Sequence, residues 1–264
     1  MKKLTLFQVD AFTDELFKGN SAAVCPLTKW LPAELLQKIA SENNLAETAF
    51  IAPSNNGYDI RWFTPTVEVD LCGHATLASA YVLFNYLNYN SNTINFFSSH
   101  SGELKVTRKK DILYLDFPTD TFEKTLNDFE IEQCIGIPPL EVYKGKWDYM
   151  AVFENEKQIT SLLPDYNKIS LLKARGLIVT AKGKDVDFVS RFFAPQSGIN
   201  EDPVTGSTHT TLIPYWSKKL RKTELKALQL SKRGGKLDCI YQGNRCLIGG
   251  NAKLYLSGEI EINE

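Results

Sequence analysis

Apolar and polar positions along the chain follow two different periods, which separate predicted strands from predicted helices. Segments such as LTLFQVD, ETAFIAP and YDIRWFTP are rich in strand-forming residues and predict strands. The segment LPAELLQKIASEN has helical spacing instead, with Leu35, Leu36 and Ile39 on one face. Residues 73–87 are apolar on nearly every side, which is typical of a buried helix.

The pattern of the first half returns in the second half in the same order. Three strand-like segments of the second half each resemble one of the first half: MAVFENE resembles AAVCPLT, RGLIVTAK resembles AETAFIAP, and DFVSRFFAP resembles YDIRWFTP. Two helix-like segments do the same: LLPDYNKISLLKA resembles the predicted helix LPAELLQKIASEN, and GSTHTTLIPYW resembles GHATLASAYVLF. The offsets lie between 128 and 133 residues. Five similarities in one order indicate an internal duplication. We therefore predict an α/β (α+β) protein with two similar halves, residues 1–122 and 123–264, joined near Thr119–Asn127.

Each half is expected to wrap a sheet around one buried helix. The second half ends with additional strand-like segments, LDCIYQ, RCLIGG, AKLYLSG and EIEI. Because the first half has no such surplus, one of these terminal segments is a candidate to return to the first half.

Composition and charge exclude several classes of function. Of 264 residues, 43% are apolar and 23% charged, which is enough for a substantial core. Thirty basic and thirty-one acidic residues nearly cancel, so neither nucleic acid nor an anionic membrane is an expected partner. The longest apolar stretch, near Ala75–Phe84, is too short to span a bilayer, and Gln8 and Asp10 interrupt any signal-like start. Five cysteines without CxxC spacing favour reduced thiols and a cytoplasmic location.

The sequence contains no motif for a metal ion or cofactor. It has no Walker A loop, no GxGxxG fingerprint and no GxSxG elbow, and its three histidines form no HExxH or C2H2 pattern. Cys72 and His74 are the one close Cys/His pair. We therefore expect neither a metal ion nor a cofactor.

Two glycine-led helices are the first candidates for chemistry. In both halves an Arg-aromatic-Phe-x-Pro strand leads into a loop, and the following helix is predicted to open at Gly73 or Gly206. Free N–H groups and the positive dipole end of a first helical turn bind anions. Related by the duplication, the two ends are expected to face one cleft and hold a substrate carboxylate. The alternative is two ordinary N-caps, with Ser207 or Thr208 capping the second helix.

The two halves differ where a site is expected. Glu47 aligns with Arg175, and His74 aligns with Ser207. Glu47 stands just before an apolar strand, and a half-buried carboxyl there suits general acid/base catalysis. An exposed strand-end glutamate is the simpler alternative. A packing or capping role explains His74 equally well, and Asp202, which precedes a proline, is also typical of a turn.

Four segments together resemble the PhzF-like (phenazine biosynthesis-like) isomerase family. They are VDAFTDELFKGNSAAVC, NLAETAF, RWFTPTVEVDLCGHATLASA and EDPVTGSTHTTLIPYW, within residues 8–216. The resemblance implies the diaminopimelate epimerase fold, with two halves that each form a barrel-like, mostly antiparallel sheet around a central helix, and an active site between them. It also implies a homodimer, and a cofactor-free isomerisation of a small carboxylate by proton movement.

The same resemblance implies the roles of individual residues. Glu47 is the general acid/base, and His74 and Asp202 orient the substrate or tune Glu47. The implied or predicted substrate-binding residues are Asn20, Gly73, Gly206 and Ser207. The substrate itself is not identified by these motifs.

Cys72 separates two types of chemistry. Diaminopimelate epimerase uses two cysteines, one on each face of the α-carbon, whereas the matching position here, near Asp202–Pro203, has no thiol. Two-thiol epimerisation is therefore not expected, and one carboxylic acid acting on one face suits an allylic shift. The alternatives are an epimerase or racemase that pairs Glu47 with Cys72 or Asp202, and a catalytically silent binding protein.

Overall fold

The computed structural model describes residues 2–126 and 128–263, so Asn127, the last residue of the predicted joint, lies outside the described residues. The first part of the chain contains β1 (Lys2–Ala11), β2 (Asn20–Pro26), α1 (Ala33–Asn43), β3 (Glu47–Ser54), β4 (Gly57–Phe63), β5 (Glu68–Val69), α2 (Gly73–Tyr86), β6 (Thr93–Ser98), β7 (Gly102–Lys109) and β8 (Ile112–Pro118). The next part contains β9 (Phe122–Thr125), α3 (Asp128–Ile135), β10 (Glu141–Gly145), β11 (Tyr149–Val152), α4 (Glu156–Ser161), α5 (Tyr166–Ile169), β12 (Leu177–Lys182) and β13 (Phe188–Phe193). The last part contains α6 (His209–Leu220), β14 (Glu224–Gln229), β15 (Gly235–Tyr241), β16 (Arg245–Gly250) and β17 (Ala252–Ile262). Among these helices, none has the length and apolar character needed to cross a membrane.

The chain forms two units. The first unit ends at Asp116 and resumes at Gly249, and the second runs from Phe117 to Ile248. The last strand, β17, pairs antiparallel with β1 along nearly its full length. The terminal strand therefore belongs to the first unit.

Both units have the same order of strand pairing. In the first unit β1, β2, β3, β4, β6 and β7 pair in turn as antiparallel, parallel, antiparallel, parallel and antiparallel neighbours. In the second unit β10, β11, β12, β13, β14 and β15 repeat that series. A helix follows the fourth strand in each series, α2 after β4 and α6 after β13. The protein therefore consists of two similar α/β halves, each a mostly antiparallel sheet with a central helix.

The helix α2 is enclosed by the first unit, as its pattern predicts. Ten of its fourteen residues are buried. It packs against β1, β2, β3, β7 and β17. A helix without a polar face has to be covered on all sides, and the sheet provides that cover.

The central helix of the second unit begins later than predicted. Regular helix starts at His209, not at Gly206. The N–H groups of His209 and Thr210 bond the carbonyls of Gly206 and Ser207, so residues 206–208 form a tighter turn before the helix. The hydroxyl of Thr208 donates to the Thr205 carbonyl and caps no helical N–H.

The helix predicted over LLPDYNKISLLKA is also wrong in extent. Within that segment only Tyr166–Ile169 is α-helical, and a separate short helix, α4, precedes it. Pro164 has no N–H to donate to a helix. The Asp165 side chain then accepts from the N–H groups of Asn167 and Lys168 and starts a new helix.

Matching arginine–glutamate pairs hold the loop before the central helix in each unit. Arg61 Nε and Nη2 donate to Glu68 at 2.7 Å and 2.7 Å. Arg191 Nε and Nη2 donate to Glu201 at 2.7 Å and 3.0 Å. Each guanidinium also lies over the phenylalanine two residues later in its strand. The Arg-aromatic-Phe similarity is therefore a structural device present twice.

Strand register corrects one alignment from the sequence. Thr48 pairs with Phe63 in the first unit, and Leu177 pairs with Phe193 in the second. Because Phe63 and Phe193 are equivalent, Glu47 corresponds to Gly176 and not to Arg175. A Cβ at Gly176 would meet the Phe193 carbonyl oxygen at 2.5 Å, so no side chain fits there.

Candidate active site

Two parallel strands of the first unit begin beside the start of α2. Asn20 is the first residue of β2 and Glu47 is the first residue of β3, and Ala22 pairs with Glu47. Parallel neighbours share the same end of a sheet. Helix α2 follows Cys72 and presents His74 in its first turn. The fold thereby brings together Asn20, Glu47 and His74.

The imidazole of His74 lies at the centre of this group. Its Nε2 is 3.2 Å from Glu47 Oε2. Its Nδ1 is 3.4 Å from Cys72 Sγ and 3.3 Å from Asn20 Nδ2. The His74 side chain is 6% exposed and that of Glu47 is 12% exposed. Although Glu47 Oε2 and His74 Nε2 are close, neither makes a hydrogen bond of ordinary geometry to any described residue.

The charge state of His74 is set by its neighbours. Burial lowers the pKa of His74, but Cys72 and Glu47 together raise it more, so the pKa lies well above its usual value. Burial, assisted by the Glu47 charge, raises the pKa of the Cys72 thiol to about 11. Because that thiol is neutral near pH 7, the Glu47 carboxylate is the charge that holds the proton on His74.

His74→Gln is expected to cost more stability at acidic pH than at alkaline pH. The folded pKa of His74 is raised above the unfolded value of 6.5, so its stabilisation is complete below that value and is lost as pH rises through the folded pKa. Between the two pKa values the advantage of wild type over His74→Gln should fall by about 1.4 kcal/mol per pH unit. Urea unfolding of both proteins from about pH 5.5 to 9 measures this difference.

His209→Gln provides a contrast of opposite sign. Burial lowers the pKa of His209 to about 4. Stabilisation by a neutral histidine is lost as pH falls below its unfolded pKa, so the cost of His209→Gln should shrink under acidic conditions. A pH-independent difference between wild type and His74→Gln would contradict the ion pair with Glu47.

The second unit places Asp202 in the loop that leads to α6. Thr205 Oγ1 donates to Asp202 Oδ2 at 2.5 Å. Gln229 accepts from the Thr205 N–H at 2.9 Å and donates to the Asp202 carbonyl at 2.9 Å. Gly206 and Ser207 follow directly. These bonds fix the backbone of the loop, and they orient the Asp202 carboxylate.

Ser207 is held by Arg175, which is itself held by Asp148, and neither contact was predicted. Arg175 Nη1 donates to Ser207 Oγ at 3.0 Å. Arg175 Nε and Nη2 donate to the two oxygens of Asp148 at 3.0 Å and 2.5 Å. The Asp148 side chain is 5% exposed. The sequence signal was a charged residue directly before the fully buried strand β11.

The second unit has a threonine where the first unit has Cys72. Glu68 and Glu201 occupy equivalent positions, and four residues further along stand Cys72 and Thr205. The carbonyl of Cys72 accepts from the Thr76 hydroxyl, and that of Thr205 accepts from the His209 ring. The position equivalent to Cys72 is therefore Thr205, just beyond Asp202–Pro203, where the sequence placed it, and it carries no thiol.

Several backbone N–H groups at both loops have no acceptor. In the first unit these belong to Gly73 and His74, and in the second to Gly206, Ser207 and Thr208. None of the five has a hydrogen-bond partner within residues 2–126 and 128–263. Anion binding of the kind predicted for the two glycines would use such N–H groups, and the binding itself stays a prediction. That both helix starts face one cleft stays a prediction.

Three of the site side chains are metal-ligating types. Glu47, Cys72 and His74 each offer one ligand atom, and these atoms lie within 4.8 Å of one another. Three protein ligands with an open position are the pattern of catalytic zinc sites. However, each ring nitrogen of His74 already faces a polar partner. The expectation of a metal-free site stays a prediction.

Comparison with known proteins agrees with this architecture. Residues 9–258 match the family described as phenazine biosynthesis-like protein. An uncharacterized isomerase of Pseudomonas aeruginosa is 50% identical over 98% of this chain and 100% of its own length. A PhzF-family protein of Enterococcus faecalis has a TM-score of 0.96 and 48% identity, over 99% of this chain and 100% of that one. A hydroxyproline epimerase of Agrobacterium vitis has a TM-score of 0.61 at 11% identity, over 98% of this chain and 92% of that one, and shares the fold alone. With a family match over nearly the whole chain and a relative at 50% identity, this chain belongs to the phenazine biosynthesis-like (PhzF) family of isomerase-like proteins.

Proposed function

We propose that this protein is an isomerase that moves a proton on a small carboxylate-bearing substrate, with Glu47 as the general acid/base. One observation carries the proposal: Glu47 Oε2 is buried, makes no hydrogen bond to a described residue, and lies 3.2 Å from His74 Nε2. Among the described residues, the ion pair with His74 engages this carboxyl group and no hydrogen bond does, so the group can still exchange a proton with a substrate. The name isomerase given to the Pseudomonas aeruginosa relative supports the same reaction class.

The other predicted residues fit supporting roles. His74 holds a positive charge 3.2 Å from the Glu47 carboxylate and thereby keeps that carboxylate in place. Asp202 orients the substrate from a loop that Gln229 fixes. The remaining proposed substrate-binding residues are Asn20, Gly73, Gly206 and Ser207. The free N–H groups at the two glycines support binding of an anionic group.

Proton transfer by one carboxyl favours an allylic shift over epimerisation. Epimerisation needs a proton carrier on each face of the reacting carbon. The thiol of Cys72, with a pKa of about 11, is a poor base near neutral pH, and its counterpart is the hydroxyl of Thr205. An epimerase that pairs Glu47 with Asp202 or Cys72 is the second candidate, because the fold is shared with a hydroxyproline epimerase. A silent binding protein is the third.

We further propose that the reaction needs neither a metal ion nor an organic cofactor, and that the protein acts as a cytoplasmic homodimer. These three properties rest on the family resemblance and on the sequence motifs. Dialysis against EDTA and sedimentation of the purified protein test the first and the last directly.

Incorporation of solvent deuterium into candidate substrates tests the function. Purified protein in D₂O should label at least one unsaturated cyclic carboxylate in a panel that also contains amino acids. A two-carrier epimerase should instead label the α-carbon of an amino acid. A silent binding protein should label no compound.

Cys72→Ser is expected to keep a substantial fraction of this exchange activity. A buried thiol that only packs behaves as a small apolar group. In a two-carrier enzyme the same change should lower the rate by orders of magnitude in both directions. Cys25→Ser is the matched control, since Cys25 is a fully buried thiol in the same unit. Loss of exchange in Cys72→Ser alone, with folding intact by circular dichroism, would favour the epimerase.

A further inference from the structure

The guanidinium of Arg175 has more donors than the protein uses. An arginine side chain carries five N–H groups. Two of them bond Asp148 and one bonds Ser207. The other two have no acceptor in the described ranges, 2–126 and 128–263. The Arg175 side chain is 34% exposed, so a ligand can reach these donors.

The contact with Arg175 fixes the direction of the Ser207 hydroxyl. Arginine has no acceptor atom, so Ser207 Oγ accepts this bond. The hydroxyl hydrogen of Ser207 must then point elsewhere, and no described residue accepts it. Ser207 is thereby oriented as a donor, next to the free N–H groups of residues 206–208.

A second arginine in the same unit shows the contrast with a purely structural pair. Arg191 bonds Glu201 twice and also donates to the carbonyls of Ile159 and Leu162. Its side chain is 12% exposed. Every nitrogen of the Arg191 guanidinium therefore bonds a protein acceptor. Arg175, in contrast, keeps two N–H donors that a ligand can bond.

Asp148 keeps the Arg175 guanidinium in a fixed plane. Burial raises the pKa of Asp148, and the bonds from Arg175 oppose that rise. The ring of Phe192 lies 5.3 Å from the guanidinium carbon. An arginine fixed in this way loses little conformational freedom when a ligand binds.

Each unit has a contact between a side chain at or near the start of a strand and the residue that follows a glycine, but the chemical groups in the two contacts differ. In the first unit a side chain at the start of β3, Glu47, meets His74, which follows Gly73. In the second unit a side chain two residues before β12, Arg175, meets Ser207, which follows Gly206. The first contact contains a proton carrier, and the second leaves free donors on both Arg175 and Ser207. Donors that cannot carry a proton at neutral pH are suited to binding an anion.

We propose that Arg175, positioned by Asp148, forms a carboxylate-binding subsite with the hydroxyl of Ser207. This subsite makes the protein prefer anionic ligands to neutral ones. The proposal rests on the proposed function, because it takes the substrate to carry a carboxylate. Arg175 is a binding residue, and Asp148 is a positioning residue that acts through it.

A pair of probes that differ in charge tests this subsite without a known substrate. Cyclohex-1-ene-1-carboxylate and its carboxamide have nearly the same shape, and their dissociation constants can be measured by NMR titration. Hydrogen bonds to charged groups contribute about 1.5–3 kcal/mol, so wild type should bind the carboxylate roughly 10- to 140-fold more tightly. Arg175→Met should lose most of this preference, and Asp148→Asn a part of it. Equal binding of the two probes by wild type would overturn the proposal.

Controls separate this subsite from catalysis and from folding. Glu47→Gln should keep the preference for the carboxylate, whether or not deuterium exchange is ever detected. Ser207→Ala is a small change that should weaken the preference even if Arg175→Met folds poorly. Arg61→Met removes a structural arginine of the first unit and should leave the preference unchanged. If Arg175→Met is folded and retains the full preference, Arg175 has no part in binding, and the proposed isomerase function still stands.

Discussion

Glu47→Gln is expected to lower kcat by about 10²- to 10⁴-fold, which is the usual contribution of a general acid/base. Glutamine keeps the shape of the side chain and its place at the start of β3, but it cannot transfer a proton. The change also removes the ion pair between Oε2 and His74, so folding of the variant is checked by circular dichroism. The rate of deuterium exchange into the best substrate of the panel measures the effect.

The loss of charge at Glu47 needs its own control, because the same carboxylate holds the proton on His74. Glu47→Gln should lower the pKa of His74, which NMR titration of the ring can follow. Glu47→Asp keeps both the charge and a transferable proton but withdraws the carboxyl, and it should retain more activity than Glu47→Gln. Glu34→Gln, at an exposed position of α1, should behave as wild type. Exchange by Glu47→Gln within a few-fold of wild type would remove Glu47 from its proposed role.

Helices and strands whose apolar pattern lies within one continuous segment could be predicted from the sequence. The helix α2 is apolar around its whole circumference, and the strand-forming residues of β1 and β3 are local information. The duplication could be recognised because it repeats such local patterns in order. The central helices and the pairing series of the two units follow that prediction.

Features that depend on contacts between distant segments could not be predicted. The Asp148–Arg175–Ser207 contact joins residues 27 and 32 positions apart, and no motif marks it. The shift of the Glu47 equivalent to Gly176 is a matter of strand register. The late start of α6 depends on a tight turn at Gly206, which a glycine permits but does not require.

Arg191→Met is expected to lower the free energy of unfolding by about 2 kcal/mol, because removal of one partner of a buried ion pair typically costs about 3–5 kcal/mol and this pair is partly buried. The change leaves the Glu201 carboxylate, which is 18% exposed, without its cation. It also removes the donor to the carbonyls of Ile159 and Leu162. Urea unfolding monitored by circular dichroism gives the value.

The equivalent pair in the first unit supplies the matched control. Arg61 and Glu68 have the same bidentate geometry, but their side chains are 26% and 27% exposed. Water screens such a pair better, so Arg61→Met should cost clearly less, about 1 kcal/mol. Arg191→Met combined with Glu201→Met should recover part of the loss, since no unpaired charge then remains buried. Equal losses of unfolding free energy in Arg61→Met and Arg191→Met would mean that neither burial nor the bonds to carbonyls determines what the pair contributes to stability. The arginine–phenylalanine contact that both units share would then be the better explanation.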